Sequence, residues 1–386
     1  MLYRTLYARV FFLLSLLLTG CGGVSDDEVS SGEISDKDTP VVKAEPSYTV
    51  VKEQDITYAT GLSHDETSTT SFAVPLKLDV YYPDNEATSR PVFMFIHGGG
   101  FTGGVKDGPE MVEMANYYAS RGWVFVSVDY RTTEELCNAK VSASCKEKVQ
   151  DMLKNDAMSG TNEVVTFYKG IAPKEWIEHA MPLIETPKDL QVTIAMYAAQ
   201  RDAKAALRWI MANSETYNIN SNYVTVGGNS AGAGTAIALG ISNPADFRDE
   251  ISIIDDATLS TTNLDQRYDV KSIVHFWGSN GKLDFFEGVY DLELYDRYDE
   301  NDPELFMGHG EGEDPQTPYT EALELQSIYN SLGLYSELKT LMVPSESDPS
   351  VLVPGGHGAW NGEVDGKGLF EMSFDFLAAR QQLILE

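Results

Sequence analysis

Residues 10–18 are apolar except for Ser15, and Arg4 and Arg9 precede them. A membrane-spanning helix needs about 20 apolar residues, so a run this short behind two basic residues predicts an export signal peptide over residues 1–20. Residues 21–47 then hold Ser, Asp, Glu, Gly and Pro with few apolar side chains. Such a stretch buries too little surface to offset its ordering entropy, which predicts a flexible acidic tether. From about residue 48 the pattern becomes that of a folded chain. Leu76-Lys77-Leu78-Asp79-Val80-Tyr81 alternates and ends near Pro83, the signature of an early antiparallel strand. Residues 92–96 and 123–128 are continuously apolar, as strands are when a parallel sheet is covered on both faces. Between them, residues 109–121 carry helical spacing that stops near Gly122.

The alternation continues to the C-terminus. Residues 195–212 read as a helix, 223–226, 272–277 and 304–307 as strands, 320–332 as a helix, 338–343 as a strand and 369–385 as a last helix. No repeat of fixed period and no second composition break interrupts the pattern, so residues 48–386 are expected to form one α/β domain. Two stretches, about 132–194 and 244–300, are too long for ordinary connections. They read as insertions over the sheet edge. Trp176, Phe167, Phe285, Phe286 and Tyr290 within them would line either an apolar pocket or the interior of a cap.

Charge and cysteines narrow the setting. The 386 residues carry 28 Lys+Arg against 59 Asp+Glu, a formal charge of −31, and no basic stripe is present to neutralise phosphates, so nucleic acid is excluded as a partner. After the apolar run, Leu18-Thr19-Gly20-Cys21 resembles the lipobox of bacterial lipoproteins, in which the Cys is lipidated and becomes the new N-terminus. This resemblance implies an exported chain held to the membrane through Cys21. Gly22 and Gly23 supply no acidic retention residue, which by the same resemblance points to the outer membrane. In an exported protein Cys137 and Cys145, eight residues apart, are expected to form a local disulfide.

The strand at 223–226 runs into Gly228-Asn229-Ser230-Ala231-Gly232, a G-x-S-x-G that opens a segment rich in small residues. Alone the motif is weak, but between a strand and a helix it is the setting of a nucleophile elbow, a strained turn that exposes the serine hydroxyl. Upstream, the strand at 92–96 ends in His97-Gly98-Gly99-Gly100-Phe101. Glycines let the backbone approach a substrate closely and aim N–H groups at a developing oxyanion. Neither G-x-x-x-x-G-K-[ST] nor G-x-G-x-x-G occurs there, and no cluster resembles H-E-x-x-H, so neither a cofactor nor a metal is expected. A serine nucleophile needs a base, and of the six histidines His357 alone follows the last predicted strand and precedes the last helix. His275 lies mid-strand, and His309 follows the strand before, where an acid belongs. Glu311, Glu313 and Asp314 all remain open as that acid.

Together the H-G-G-G-F and G-N-S-A-G motifs resemble the carboxylesterase and lipase branch of the α/β-hydrolase superfamily, near hormone-sensitive-lipase-like and type B esterases. Asp129-Tyr130-Arg131 and Asp202 followed by Ala205-Ala206-Leu207-Arg208-Trp209 are similar to the same branch, and the likeness spans about residues 75–386. It implies a mostly parallel central sheet of about eight strands flanked by helices, with cap insertions, and a Ser-His-Asp triad. It also implies oxyanion donors at Gly99, Gly100 and Ala231. Asp314-Pro315-Gln316-Thr317-Pro318 resembles the D-P-x-x-P segment after the acid in such esterases, which favours Asp314 over the two glutamates. The insertion at 132–194 and the stretch 345–354 depart from the family pattern. The expected activity is acyl-enzyme hydrolysis of a small-molecule or polymer-linked carboxylic ester. A serine peptidase or amidase would use the same machinery, though the glycine loop resembles esterases more. A non-catalytic surface binding protein would lack triad residues, whereas here each role is filled.

Overall fold

Every residue of Arg90–Ile96 is buried, and its pleat divides the domain. Val92, Met94 and Ile96 enter one apolar cluster while Phe93 and Phe95 enter another. The neighbouring strand Val124–Val128 repeats the split, with its valines on the first side and Phe125 on the second. A strand apolar on both faces must be covered on both, which is why the domain has helices on each side of one sheet. The computed structural model describes residues 38–64, 71–137, 143–154, 157–279 and 298–386, and residues 37–386 form one compact unit. The expected signal peptide, Cys21 and the expected tether over residues 21–37 lie outside the described residues.

The central sheet has eight strands: β1 (Val50–Ser63), β2 (Phe72–Pro83), β3 (Arg90–Ile96), β4 (Val124–Val128), β5 (Ile219–Asn229), β6 (Ser272–Phe276), β7 (Glu304–His309) and β8 (Ser336–Thr340). Their order is β1-β2-β4-β3-β5-β6-β7-β8. β2 runs antiparallel to both of its neighbours, and every pair from β4 through β3 to β8 is parallel. Helix α1 (Pro109–Ala119) lies on the aromatic side, and α2 (Pro187–Ala212), α3 (Ala231–Ile241) and α4 (Tyr319–Leu332) contribute to the aliphatic side. The closing helix α5 (Leu369–Arg380) returns to the aromatic side. Because β3, β5, β7 and β8 are parallel, the loops that follow them gather at one edge of the sheet, where ligands bind in open α/β folds.

Besides β1, which the sequence reading does not include, four further elements differ from it. Residues 38–47 are not tether: Val41–Val42 pairs in parallel with Ile384–Leu385, Val42 is fully buried, and Lys43 N donates to Arg121 O at 2.9 Å. Those apolar residues sit in a polar stretch whose composition hides them. Helix α2 starts at Pro187 rather than at 195, because Thr186 forms a capping box with Asp189 and Pro187 occupies the first turn. The run at 338–343 is two strands. Leu341 N bonds to His309 O at 2.8 Å, after which Met342–Pro344 joins a small antiparallel sheet with Leu352–Pro354 and Glu363–Val364. The last helix stops at Arg380, and Gln382 at φ 55° turns the chain toward the strand Ile384–Leu385.

The first expected insertion forms a helical cover. Ala143–Lys154, Ala157–Phe167 and Lys174–Ala180 are helices, and the buried Trp176 and Phe167 belong to the cap interior and its core. Phe285, Phe286 and Tyr290 lie outside the described residues. Residues from the second insertion help cover the middle of α2, where Arg201 and Lys204 are buried and paired inward. Arg201 meets Asp256 at 2.9 Å, and Lys204 Nζ donates to the carbonyls of Asn243 and Asp246. Arg131, in the loop after β4, grips Asp202 of α2 with its guanidinium at 2.6 Å. Cys137 and Cys145 form the local disulfide, with Cα atoms 5.4 Å apart. By the loop-closure argument this ring stabilises the fold by about 2–3 kcal/mol. Chemical denaturation of a Cys137→Ser, Cys145→Ser variant should show a loss of that order; a midpoint equal to wild type would contradict it.

Candidate active site

Ser230 sits between β5 and α3 with φ 53° and ψ −120°. A residue with a Cβ rarely adopts this conformation, and it holds here because both flanks are fixed. Ser230 N donates to Phe276 O at 2.9 Å, and α3 lies directly on β3. A Cβ on Gly232 would stand 2.0 Å from Ile96 O. That close approach, rather than turn flexibility, is why the last motif position must be glycine.

The glycine loop follows β3 at the same edge. Gly99 has φ +120°, and a Cβ there would stand 2.0 Å from Gly103 O. Thr102 N closes the turn on Gly99 O at 3.0 Å. Gly98 N donates to Asn229 Oδ1 at 3.0 Å, tying this loop to the residue before Ser230. His97 is buried beneath it, stacked on Tyr130 at 4.4 Å, with Nδ1 2.7 Å from Gly98 O and its own carbonyl taking the Tyr130 hydroxyl at 3.0 Å. Burial pushes its imidazole down to about 4, so it is neutral at pH 7 and serves as packing under the loop. Among the described residues no acceptor takes the N–H of Gly99, Gly100 or Ala231.

The acid and the histidine come from the loops after β7 and β8. These loops are joined where Gly312 N donates to Gly355 O at 2.8 Å. Of the three candidate acids, Glu311 and Glu313 are exposed, whereas Asp314 is buried with Oδ2 2.8 Å from His357 Nδ1. Asp314 Oδ1 accepts from Gln316 N at 3.0 Å and Thr317 N at 3.1 Å, and Oδ2 accepts from Thr317 Oγ1 at 2.6 Å. Burial raises the pKa of this carboxyl, but its hydrogen bonds outweigh that and hold it below the ordinary carboxylate range. His275 and His309 are buried, with burial as the leading cause of their lowered pKa values, and neither lines the cleft described next.

One open cleft of about 820 Å³ holds Gly99, Gly100, Ser230, Ala231 and His357 together. Its far wall is α2 and the segment before it, including Leu183, Ile184, Val192 and Met196, and Trp277 also lines it. Asn229 and Thr317 line it as well, and sequence reading assigned neither a task. Ser279, another lining residue, donates through its hydroxyl to Glu321 in the first turn of α4. The Thr186-Pro187-Lys188-Asp189 signature was the available clue that α2 reaches far enough to wall the site. Among the described residues no group of three His, Cys, Asp or Glu could hold a metal ion.

A family model described as BD-FAE matches residues 78–163 and 188–290, so the match includes Gly99, Gly100, Ser230 and Ala231 and ends before Asp314 and His357. No curated protein matches the chain in sequence. Among solved structures, Thermogutta terrifontis esterase 2 phosphorylated by paraoxon is 16% identical, with a TM-score of 0.50 over 85% of this chain and 94% of that one. Its butyrate-bound form is 15% identical, with a TM-score of 0.50 over 86% and 94%. A truncated carbohydrate esterase from gut microbiota is 16% identical over 88% and 99%, with a TM-score of 0.48. Likeness at this identity concerns the fold. The strand order, the helices on both faces and the strained serine between β5 and α3 give the chain an α/β-hydrolase fold, in keeping with its similarity to the BD-FAE model.

Proposed function

We propose that the protein is a carboxylic ester hydrolase that works through a serine acyl-enzyme. One observation carries this reading: a single cleft holds Ser230, His357 with its Nδ1 on Asp314, and three residues whose backbone amides meet no acceptor among the described residues. The BD-FAE model, which describes α/β-hydrolase-like esterases, supports it. In this reading Ser230 Oγ attacks the ester carbonyl carbon while His357 Nε2 takes its proton. The carbonyl oxygen becomes an oxyanion held by the amides of Gly99, Gly100 and Ala231. The tetrahedral intermediate collapses, the C–O bond to the alcohol breaks, and the imidazolium returns the proton to the leaving oxygen. Water, deprotonated by His357, then attacks the acyl carbon and releases the acid and Ser230. Asp314 keeps the Nδ1 proton in place and balances the imidazolium charge.

The test is labelling with a fluorophosphonate together with turnover of matched ester and amide substrates. Label on Ser230 and hydrolysis of the ester well ahead of the amide support an esterase. Comparable amide turnover would make it an amidase or peptidase, and an unlabelled Ser230 would make it a binding protein. A panel of esters varying in acyl length and aryl character would then define the substrate. Asn229 offers a further check. Because its side chain holds Gly98 N, Asn229→Leu frees the glycine loop and should lower kcat by about 10- to 100-fold with little change in KM, the loss expected when oxyanion donors are misplaced. Unchanged kcat would remove Asn229 from the machinery.

The N-terminus carries a second proposal. Cys21 following a short export signal supports a lipid-anchored, exported enzyme at the bacterial outer membrane. Cys21→Ser should move the protein from the membrane to the soluble fraction, and unchanged fractionation would reject the anchor.

A further inference from the structure

Three polar atoms meet behind the candidate base in a closed triangle. Thr317 Oγ1 lies 2.6 Å from Asp314 Oδ2 and 3.0 Å from His357 Nδ1, and Nδ1 lies 2.8 Å from Oδ2. The chemistry of the three groups fixes the protons. An ionised carboxylate only accepts, so the single hydroxyl proton of Thr317 is committed to Asp314. The hydroxyl oxygen then turns a lone pair toward Nδ1, and the only proton compatible with both neighbours is one on Nδ1. Thr317 N also bonds to Asp314 Oδ1 at 3.1 Å, so the same residue grips both carboxylate oxygens and sets the plane of the carboxyl. With 4% of its surface exposed, the threonine has no room to swing away.

We propose that Thr317 is a positioning residue for the catalytic histidine: its hydroxyl orients the Asp314 carboxylate and shares the Nδ1 proton, which leaves Nε2 of His357 bare to accept the serine proton. The inference rests on the esterase reading for its effect on turnover, but not for its effect on the imidazole. Thr317 acts through Asp314 and His357 and touches no reacting atom. A hydroxyl at this position serves whether or not a methyl accompanies it, so serine should replace it and valine should not.

The experiment compares wild type, Thr317→Val and Thr317→Ser in the full folded domain. It uses steady-state ester kinetics and the low-field proton NMR resonance of His357 Nδ1–H. For Thr317→Val, kcat should fall roughly tenfold with KM nearly unchanged, about the effect of one hydrogen bond. The Nδ1–H resonance should shift and exchange faster with water, and Thr317→Ser should restore both. Wild-type kcat together with an unmoved resonance in Thr317→Val would overturn the proposal. So would a Thr317→Ser variant as impaired as the valine, since the methyl rather than the hydroxyl would then matter. A loss confined to KM would also overturn it, because that would assign Thr317 to substrate binding. If the wild type hydrolyses no ester yet Thr317→Val shifts the Nδ1–H resonance and Thr317→Ser restores it, the esterase reading fails and the positioning role stands.

Discussion

Ser230→Ala should lower ester turnover by about a millionfold, the scale seen when a serine nucleophile is removed from a complete triad. The fold should persist, because alanine retains the Cβ that already fits the turn. Ser230→Gly makes a sharper companion. At φ 53° and ψ −120° the serine occupies a backbone region that side chains disfavour, and such strain costs on the order of 1–3 kcal/mol. Glycine relieves it, so Ser230→Gly should be inactive and more stable than Ser230→Ala by about 1 kcal/mol or more. Chemical denaturation of the two inactive variants isolates the strain from the chemistry. Equal stability would mean that the elbow stores no strain at the nucleophile, and substantial ester turnover by Ser230→Ala would end the acyl-enzyme mechanism.

Much of the scaffold is legible in the sequence because parallel strands buried on both faces leave continuous apolar runs. β3 and β4 are such runs, and the glycine loop and the elbow are read where β3 and β5 end. The start of α2 was hidden for the opposite reason. Its first turn projects polar residues, Lys188 and Asp189, at the rim of the cleft, so the apolar periodicity begins only further in. The run at 338–343 looks like one strand because its apolar residues continue through Leu341, the residue at which the chain passes from one sheet to another. Residues 41–42 form only two pairs, too few to stand out in a polar stretch.

The supporting residues of the site were illegible for a different reason. Asn229 gains its task from a contact 131 residues away, and Thr317 from one 40 residues away. No local pattern encodes such meetings. Spacing alone leaves Glu311, Glu313 and Asp314 all in reach of the loop after β8, and only the resemblance of Asp314-Pro315-Gln316-Thr317-Pro318 to a D-P-x-x-P segment favours Asp314 in the sequence. In the structure, burial and the 2.8 Å contact between Asp314 Oδ2 and His357 Nδ1 distinguish them.

Asp314→Asn should therefore reduce turnover by about 10⁴-fold, whereas Glu311→Gln and Glu313→Gln should remain near wild type. The reason lies in the orientation the amide must take. Two backbone N–H groups, from Gln316 and Thr317, point at Oδ1. The amide oxygen must face them, because a donor there would meet two donors. The amide nitrogen is then forced into the place of Oδ2, where it donates toward His357 Nδ1. An imidazole that accepts at Nδ1 carries its proton on Nε2, and that tautomer cannot take a proton from Ser230. The charge effect has its own signature. The Asp314 carboxyl, held below the ordinary range in the folded state, stabilises the fold above the unfolded carboxyl value of about 3.9, and this contribution is lost as pH falls through the lower folded value. Asp314→Asn abolishes the pH-dependent term, so the difference in stability between wild type and variant should shrink as pH drops below about 4. Steady-state kinetics of the three amide variants, with acid unfolding of Asp314→Asn, test both parts. Near-normal turnover in Asp314→Asn alongside a collapse in either glutamate variant would transfer the role of acid to that glutamate.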